Sequence, residues 1–137
     1  MSVTSVYPVL MSADVASAAA FYRDHLGFEV TYDSSWYVSL RLGAHELAVL
    51  DPEHATVPAG FGAVARGVLV NVEVDDVDAV HDRLVAQGLD VVLGLRDEDF
   101  GQRHFIVVGP DGVLVDVIQP IEPQGEFVDA YVGAAGA

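Results

Sequence analysis

The chain has 137 residues, 52% of them hydrophobic, with 21 acidic and 6 basic side chains and a formal net charge of -15. That is enough apolar material for one compact domain, or two half-domains sharing a core, and too much for a disordered chain. The charge repels nucleic-acid phosphates and anionic lipid, the lack of cysteine removes disulfides and thiolate chemistry, and no apolar run of about 18 residues exists to span a membrane.

Residues 1–5 lack a basic region followed by a long apolar one, so the sequence predicts no signal peptide and a cytoplasmic protein. Residues 5–11 alternate around Pro8 and predict a strand, with Pro8 at an edge or a strand start because it has no N–H to give. Asp14 is placed to cap a helix over about 15–25, whose core face carries Ala18, Phe21 and Tyr22 at helical spacing. Gly27 suits the position after that helix, where a positive φ is needed. Strands follow at 28–32, 36–42 and 46–50, separated by a turn at 33–35 and a reversal at Gly43. Residues 51–67 contain Pro52, Pro58, Gly60, Gly62 and Gly67 and read as a linker, with Phe61 as a flap.

The second half follows the same grammar. A strand is predicted over 68–74, an Asp76-capped helix to about 87, then Gly88, a strand over 89–94, a polar loop over 95–102 and a strand over 103–108. Gly109, Pro110, Asp111 and Gly112 form a strong hairpin turn before a last strand at 113–118. Asp14 corresponds to Asp76, Val15 to Val77 and Gly27 to Gly88. The order is thus βαβββ twice, an α+β fold of two modules, about 5–51 and 68–119, joined by a linker at 52–67. The expectation is one domain over 1–122, a curved, cup-like mixed sheet with the helices outside, and a flexible tail over 123–137.

This order, carried by Val9 to Val15, Phe21, Tyr22, His25 to Phe28, Val74 to Val77, Gly109 to Gly112 and Val115 to Ile118, resembles the vicinal oxygen chelate superfamily. That superfamily holds glyoxalase I, extradiol dioxygenases, fosfomycin-resistance enzymes and bleomycin-resistance proteins. The resemblance covers roughly residues 5–120 and implies a scaffold, not one activity. Metal-dependent members place His or Glu at four inward strand positions. Counted from the shared landmarks, these fall on Tyr7 and Leu69, each seven residues before its capping aspartate, on Asp51, and on Asp116, four after Gly112. Leucine cannot ligate and a neutral phenol is a poor ligand, so no metal and no cofactor is expected, although oxygen-only Mg binding needs just one or two carboxylates. The five histidines read as surface or core-edge residues.

Strand alternation assigns the lining of the expected cup. Tyr7 comes from the first strand, Leu69, Asn71 and Glu73 from the fifth, Asp116 from the last, and Arg103 and Phe105 from the seventh. The third gives either Tyr37, Ser39 and Arg41 or Trp36, Val38 and Leu40, the first set being favoured because Val38 and Leu40 suit the core. Trp36, Phe61 and Phe100 are further stacking candidates, and Asp51 closes the fourth strand. Such a lining suits a flat organic molecule held by stacking. The resemblance to the bleomycin-resistance arm implies a homodimer that sequesters an aromatic natural product or antibiotic without altering it. The alternative is a lyase, isomerase or dioxygenase using an atypical carboxylate site, with Asp51, Glu73 or Asp116 as base.

Overall fold

Both helices begin where a carboxylate takes up orphan amides. In the computed structural model, which describes residues 1–133, Asp14 accepts from the Ser17 amide at 3.0 Å and opens α1 (Val15–Leu26). Asp76 accepts from the Ala79 amide at 3.1 Å and opens α2 (Val77–Ala86). Gly27, at φ 80°, ends α1 with its N–H on Arg23 and the Phe28 N–H on the Tyr22 carbonyl.

The strands are β1 (Val9–Met11), β2 (Glu29–Asp33), β3 (Tyr37–Leu42), β4 (His45–Leu50), β5 (Leu69–Glu73), β6 (Val91–Glu98), β7 (Gln102–Val108) and β8 (Leu114–Pro120). They form two four-stranded mixed sheets, ordered β1-β4-β3-β2 and β5-β8-β7-β6. In each, the first strand of the module pairs in parallel with the last and the remaining pairs are antiparallel. The expected α+β architecture of two βαβββ modules is therefore present.

The chain divides into two compact units, Met1–Val68 with Gly109–Val113, and Leu69–Val108 with the segment from Leu114 onward. In the first, Ala18, Ala19 and Tyr22 of α1 pack with Leu10, Val38, Leu40, Leu47 and Val49, all buried. The hairpin turn belongs to this unit, where the Ala13 amide donates to Asp111 at 3.0 Å. The expected linker is also tied to it, because the Ala65 amide bonds the Met11 carbonyl. In the second unit Val77 and Leu84 of α2 are buried, as are Phe105, Val107, Val115 and Val117.

Two strand boundaries differ from expectation. Strand β1 is shorter, since Pro8 offers only its carbonyl, which accepts from the Ala48 amide. The expected polar loop at 95–102 is mostly strand, because β6 runs on to Glu98 with Arg96 opposite His104 and Asp97 opposite Arg103. After β8 the chain forms a helical turn at Gly125–Ala130 and meets the 99–101 turn through Ile121, Gln124 and Tyr131; residues 134–137 of the expected tail lie outside the described residues.

Candidate functional site

The far face of the first sheet, turned away from α1, is set by register. Val38, Leu40, Leu47 and Val49 point toward the helix, so Tyr37, Ser39 and Arg41 point away, paired with Leu50, Ala48 and Glu46. A β-bulge between Val30 and Tyr32 brings Tyr32 opposite Ser39, onto this face. The Tyr32 and Tyr37 rings meet edge-on at 6.2 Å, and Trp36 tilts against Tyr37 at 5.7 Å. Tyr7, just before β1, neighbours Tyr37. Burial first, and then the neighbouring Tyr7 phenol, push the Tyr37 phenol above its ordinary range.

Beside this aromatic row lies a pocket of about 100 Å³ whose lining includes Tyr7, Thr31, Ser39 and Glu46. Tyr7 and Tyr32 remain 45% and 55% exposed, so their rings are available for stacking. Trp36 carries a second ring neighbour, the imidazole of His54, stacked at 3.5 Å and 5°. The structure thus groups the expected residues Tyr7, Trp36, Tyr37 and Ser39 and adds Tyr32 and His54. Asp51 continues the β3–β4 ladder opposite Trp36, its amide on the Trp36 carbonyl at 2.9 Å and its carboxylate taken by the Glu53 amide. Phe61 stands 75% exposed on the loop.

On the far face of the second sheet, Leu69, Asn71 and Glu73 are exposed along β5, with Asp116 beside Asn71 on β8. Asp116 is buried and bonds His104 Nδ1 at 2.8 Å, and the other nitrogen of His104 meets Glu98 at 2.7 Å. Arg96 in turn donates to Glu98 at 2.8 Å. Two carboxylates on one imidazole select the imidazolium, which alone donates from both nitrogens. Burial pushes His104 down, but its bonds to Glu98 and Asp116 outweigh this and leave it above its ordinary value of 6.5. The His104 bond, and then that of Arg96, hold Glu98 below its ordinary value.

Arg103 and Phe105 are corrections. The turn at 109–112 pairs Phe105 with Val117 and Val107 with Val115, which places them against α2, with Phe105 fully buried. Arg103 joins them on that side and grips Asp78 of α2 with two bonds, at 2.7 and 3.1 Å. It is His104 and Ile106 that share the far face with Asp116. Counting symmetrically out from Gly109–Gly112 sets Phe105 opposite Asp116; the ladder instead starts with Val108 opposite Leu114, and this one-residue offset brings His104 and Ile106 onto the face of Asp116. Phe100 packs on Phe127 at 6.0 Å and helps line an apolar pocket of about 230 Å³ with Ala130 and Tyr131.

The metal-ligand positions of the resembled superfamily do not fit a metal here. Leu69 has no donor atom, Tyr7 offers only a phenol, and Asp116 is engaged by a cationic histidine. Among the described residues, no group of three or more His, Cys, Asp or Glu side chains is placed to hold a metal ion.

Two βαβββ modules with this sheet order define an α+β scaffold of the glyoxalase type. The family model described as the Glyoxalase/Bleomycin resistance protein/Dioxygenase superfamily matches residues 4–117, and the chain belongs to that superfamily. Its fold is similar to that of a lactoylglutathione lyase from Agrobacterium tumefaciens, with 23% identity over 85% of this chain and 93% of that one and a TM-score of 0.70. It is also similar to a glyoxalase/bleomycin resistance protein/dioxygenase from Nocardioides, with 22% identity over 97% and 92% and a TM-score of 0.74. No curated protein matches the chain. Likenesses at this identity establish the fold. Among the described residues no helix is long and apolar enough to cross a membrane.

Proposed function

We propose that this protein captures a flat, largely aromatic small molecule, of natural-product or antibiotic type, and holds it without chemical change. The observation that carries the reading is the row of Tyr32, Tyr37 and Trp36, with Tyr7 at the adjoining pocket, over the small residues Ser39 and Ala48. Such a surface offers π-faces for stacking and hydroxyls for orientation, and it needs no metal. Leu69, Asn71, Glu73 and Asp116 on the second sheet, with Asp51, Phe61 and Phe100 on loops and turns, are proposed as further contacts. The working form is proposed to be a homodimer. Nothing in a cysteine-free chain depends on an oxidising compartment, and a cytoplasmic setting is proposed with it.

The test is calorimetric titration with a panel of planar aromatic natural products, followed by mass spectrometry of the recovered ligand. Saturable one-to-one binding with the ligand returned unaltered is the expected result. Recovery of a changed product overturns capture in favour of catalysis.

A second reading has its own observation. The Glu98–His104–Asp116 chain is the kind of coupled, buried cluster from which acid–base chemistry is built, and it supports a metal-free lyase or isomerase with Asp116 as base. Product formation abolished by Asp116→Asn, with ligand affinity retained, would favour it over capture.

A further inference from the structure

The Trp36–His54 stack is geometrically unusual. Ring pairs prefer offset or edge-on arrangements with centroids about 4.5–7 Å apart, whereas these centroids are 3.5 Å apart and the planes 5° from parallel. Near-complete overlap is not the arrangement two such rings would choose freely, so the loop must impose it.

The loop is built to do so. The His54 amide bonds the Asp51 carbonyl, the Val57 amide bonds the His54 carbonyl, and the Asp51 amide anchors the loop to Trp36 itself. The Thr56 amide and hydroxyl meet His54 Nδ1 at 3.2 and 3.0 Å, which fixes the orientation of the ring. Gly62 closes the loop against Pro52, so tightly that a Cβ there would lie 2.2 Å from the Pro52 carbonyl oxygen. Both rings stay partly exposed, and Trp36 continues directly into Tyr37 and Tyr32.

We infer that His54 is a resident ring that occupies a stacking subsite on Trp36, and that a planar heteroaromatic ligand takes this subsite by exchanging with it. The inference rests on the capture reading and names one subsite of that surface. A ligand ring larger than imidazole, free to slide into offset overlap, gains what the held histidine does not. The exchange makes His54 a specificity-determining residue: the ligand must stack better than imidazole does.

Two planar probes test it at 0.15 M salt, the cation 9-aminoacridine and the uncharged riboflavin, so that charge and ring effects separate. Trp36 is the chain's only tryptophan, so its emission reports the subsite directly. Binding should change that emission and release the His54 ring protons from the shielding of Trp36 in NMR spectra. His54→Ala should bind about tenfold more tightly, while His54→Phe, which keeps a ring on Trp36, should not gain. Binding by His54→Ala alone supports the inference equally. A probe that binds while the His54 protons stay in place, or an equal gain in both variants, overturns the exchange and leaves capture standing. No binding by the parent or by His54→Ala overturns the exchange too; capture falls only when the wider ligand panel also fails.

Discussion

His104 and Asp116 stand diagonally across adjacent strands, Nδ1 to Oδ1 at 2.8 Å, with side chains only 6% and 9% exposed. The register explains the meeting: Ile106 is opposite Asp116 and Ile118 is opposite His104, so all four share one face of the β7–β8 pair. Glu98, on β6, closes the other side of the imidazole. A cation thus sits between two anions, and each of the three strands contributes one member.

Removing the cation should be costly. His104→Ala leaves Glu98 and a buried Asp116 without their shared partner, a loss of about 3 kcal/mol by the usual cost of orphaning a buried ion. Denaturant unfolding followed by circular dichroism measures it. Adding Asp116→Leu to His104→Leu should recover part of the loss, because no unpaired charge then remains on β8. A double variant as unstable as the sum of the singles would show that the two act independently.

The same cluster sets a pH window. The folded pKa of His104 is raised, so its contribution is complete below the ordinary histidine value of 6.5 and is lost as pH rises through the folded value. The folded pKa of Glu98 is lowered, so its contribution is complete above the ordinary value of 4.5 and is lost as pH falls through the folded value. Stability should therefore peak between about pH 4.5 and 6.5 with respect to these groups. The decline above that range should vanish in His104→Gln. Thermal melts from pH 4 to 9 provide the check.

The scaffold was legible because its signals are local. Asp14 and Asp76 cap helices by chemistry that any reader of the sequence can apply, and Gly27 ends α1 at a backbone conformation that favours glycine. The site was legible only in part, because it depends on strand faces. On β7 both alternating sets contain apolar residues, so Arg103 and Phe105 looked as eligible for the far face as His104 and Ile106; only pairing through the turn decides. On β2 simple alternation puts Tyr32 on the helix side, and a bulge invisible in the pattern reverses it. The stack of His54 on Trp36 depends on a loop conformation with no periodicity to read.

The corrected face of β7 makes its own prediction. Phe105→Ala should cost about 3–5 kcal/mol, since the ring is fully buried against α2 and the sheet. Arg103→Met breaks the paired bonds to Asp78 and the bond to Asp97 and should lower the melting temperature slightly. Neither side chain belongs to the aromatic surface, so ligand affinity of the folded Arg103→Met variant should be unchanged by calorimetry. A loss of affinity there would return Arg103 to the ligand.

Tyr22 carries the one buried side-chain polar atom without a partner among the described residues. The ring is 1% exposed, and burial, with Asp111 nearby, pushes the phenol up to about 12. A hydroxyl that makes no bond in the core is a cost of folding, so Tyr22→Phe should be neutral or stabilising by up to about 1 kcal/mol. A clear loss of stability in urea unfolding would reveal a partner for the hydroxyl, with water in the adjoining space near Ser12 and Asp111 the first candidate.

Gly62 links loop closure to the aromatic surface. A Cβ there meets the Pro52 carbonyl oxygen at 2.2 Å, and backbone cannot yield as a flexible side chain can. Gly62→Ala should therefore spread the loop, at a cost of about 1–3 kcal/mol typical of overpacking. Pro52 lies between Asp51, which is bonded to Trp36, and His54, which is stacked on it. Spreading the loop should lift the imidazole and make Trp36 more accessible to iodide or acrylamide quenching, as His54→Ala does by deletion. If quenching rises in His54→Ala but not in Gly62→Ala, the grip of the loop on His54 comes from the bonds around Asp51 and Thr56 and not from the Gly62 closure.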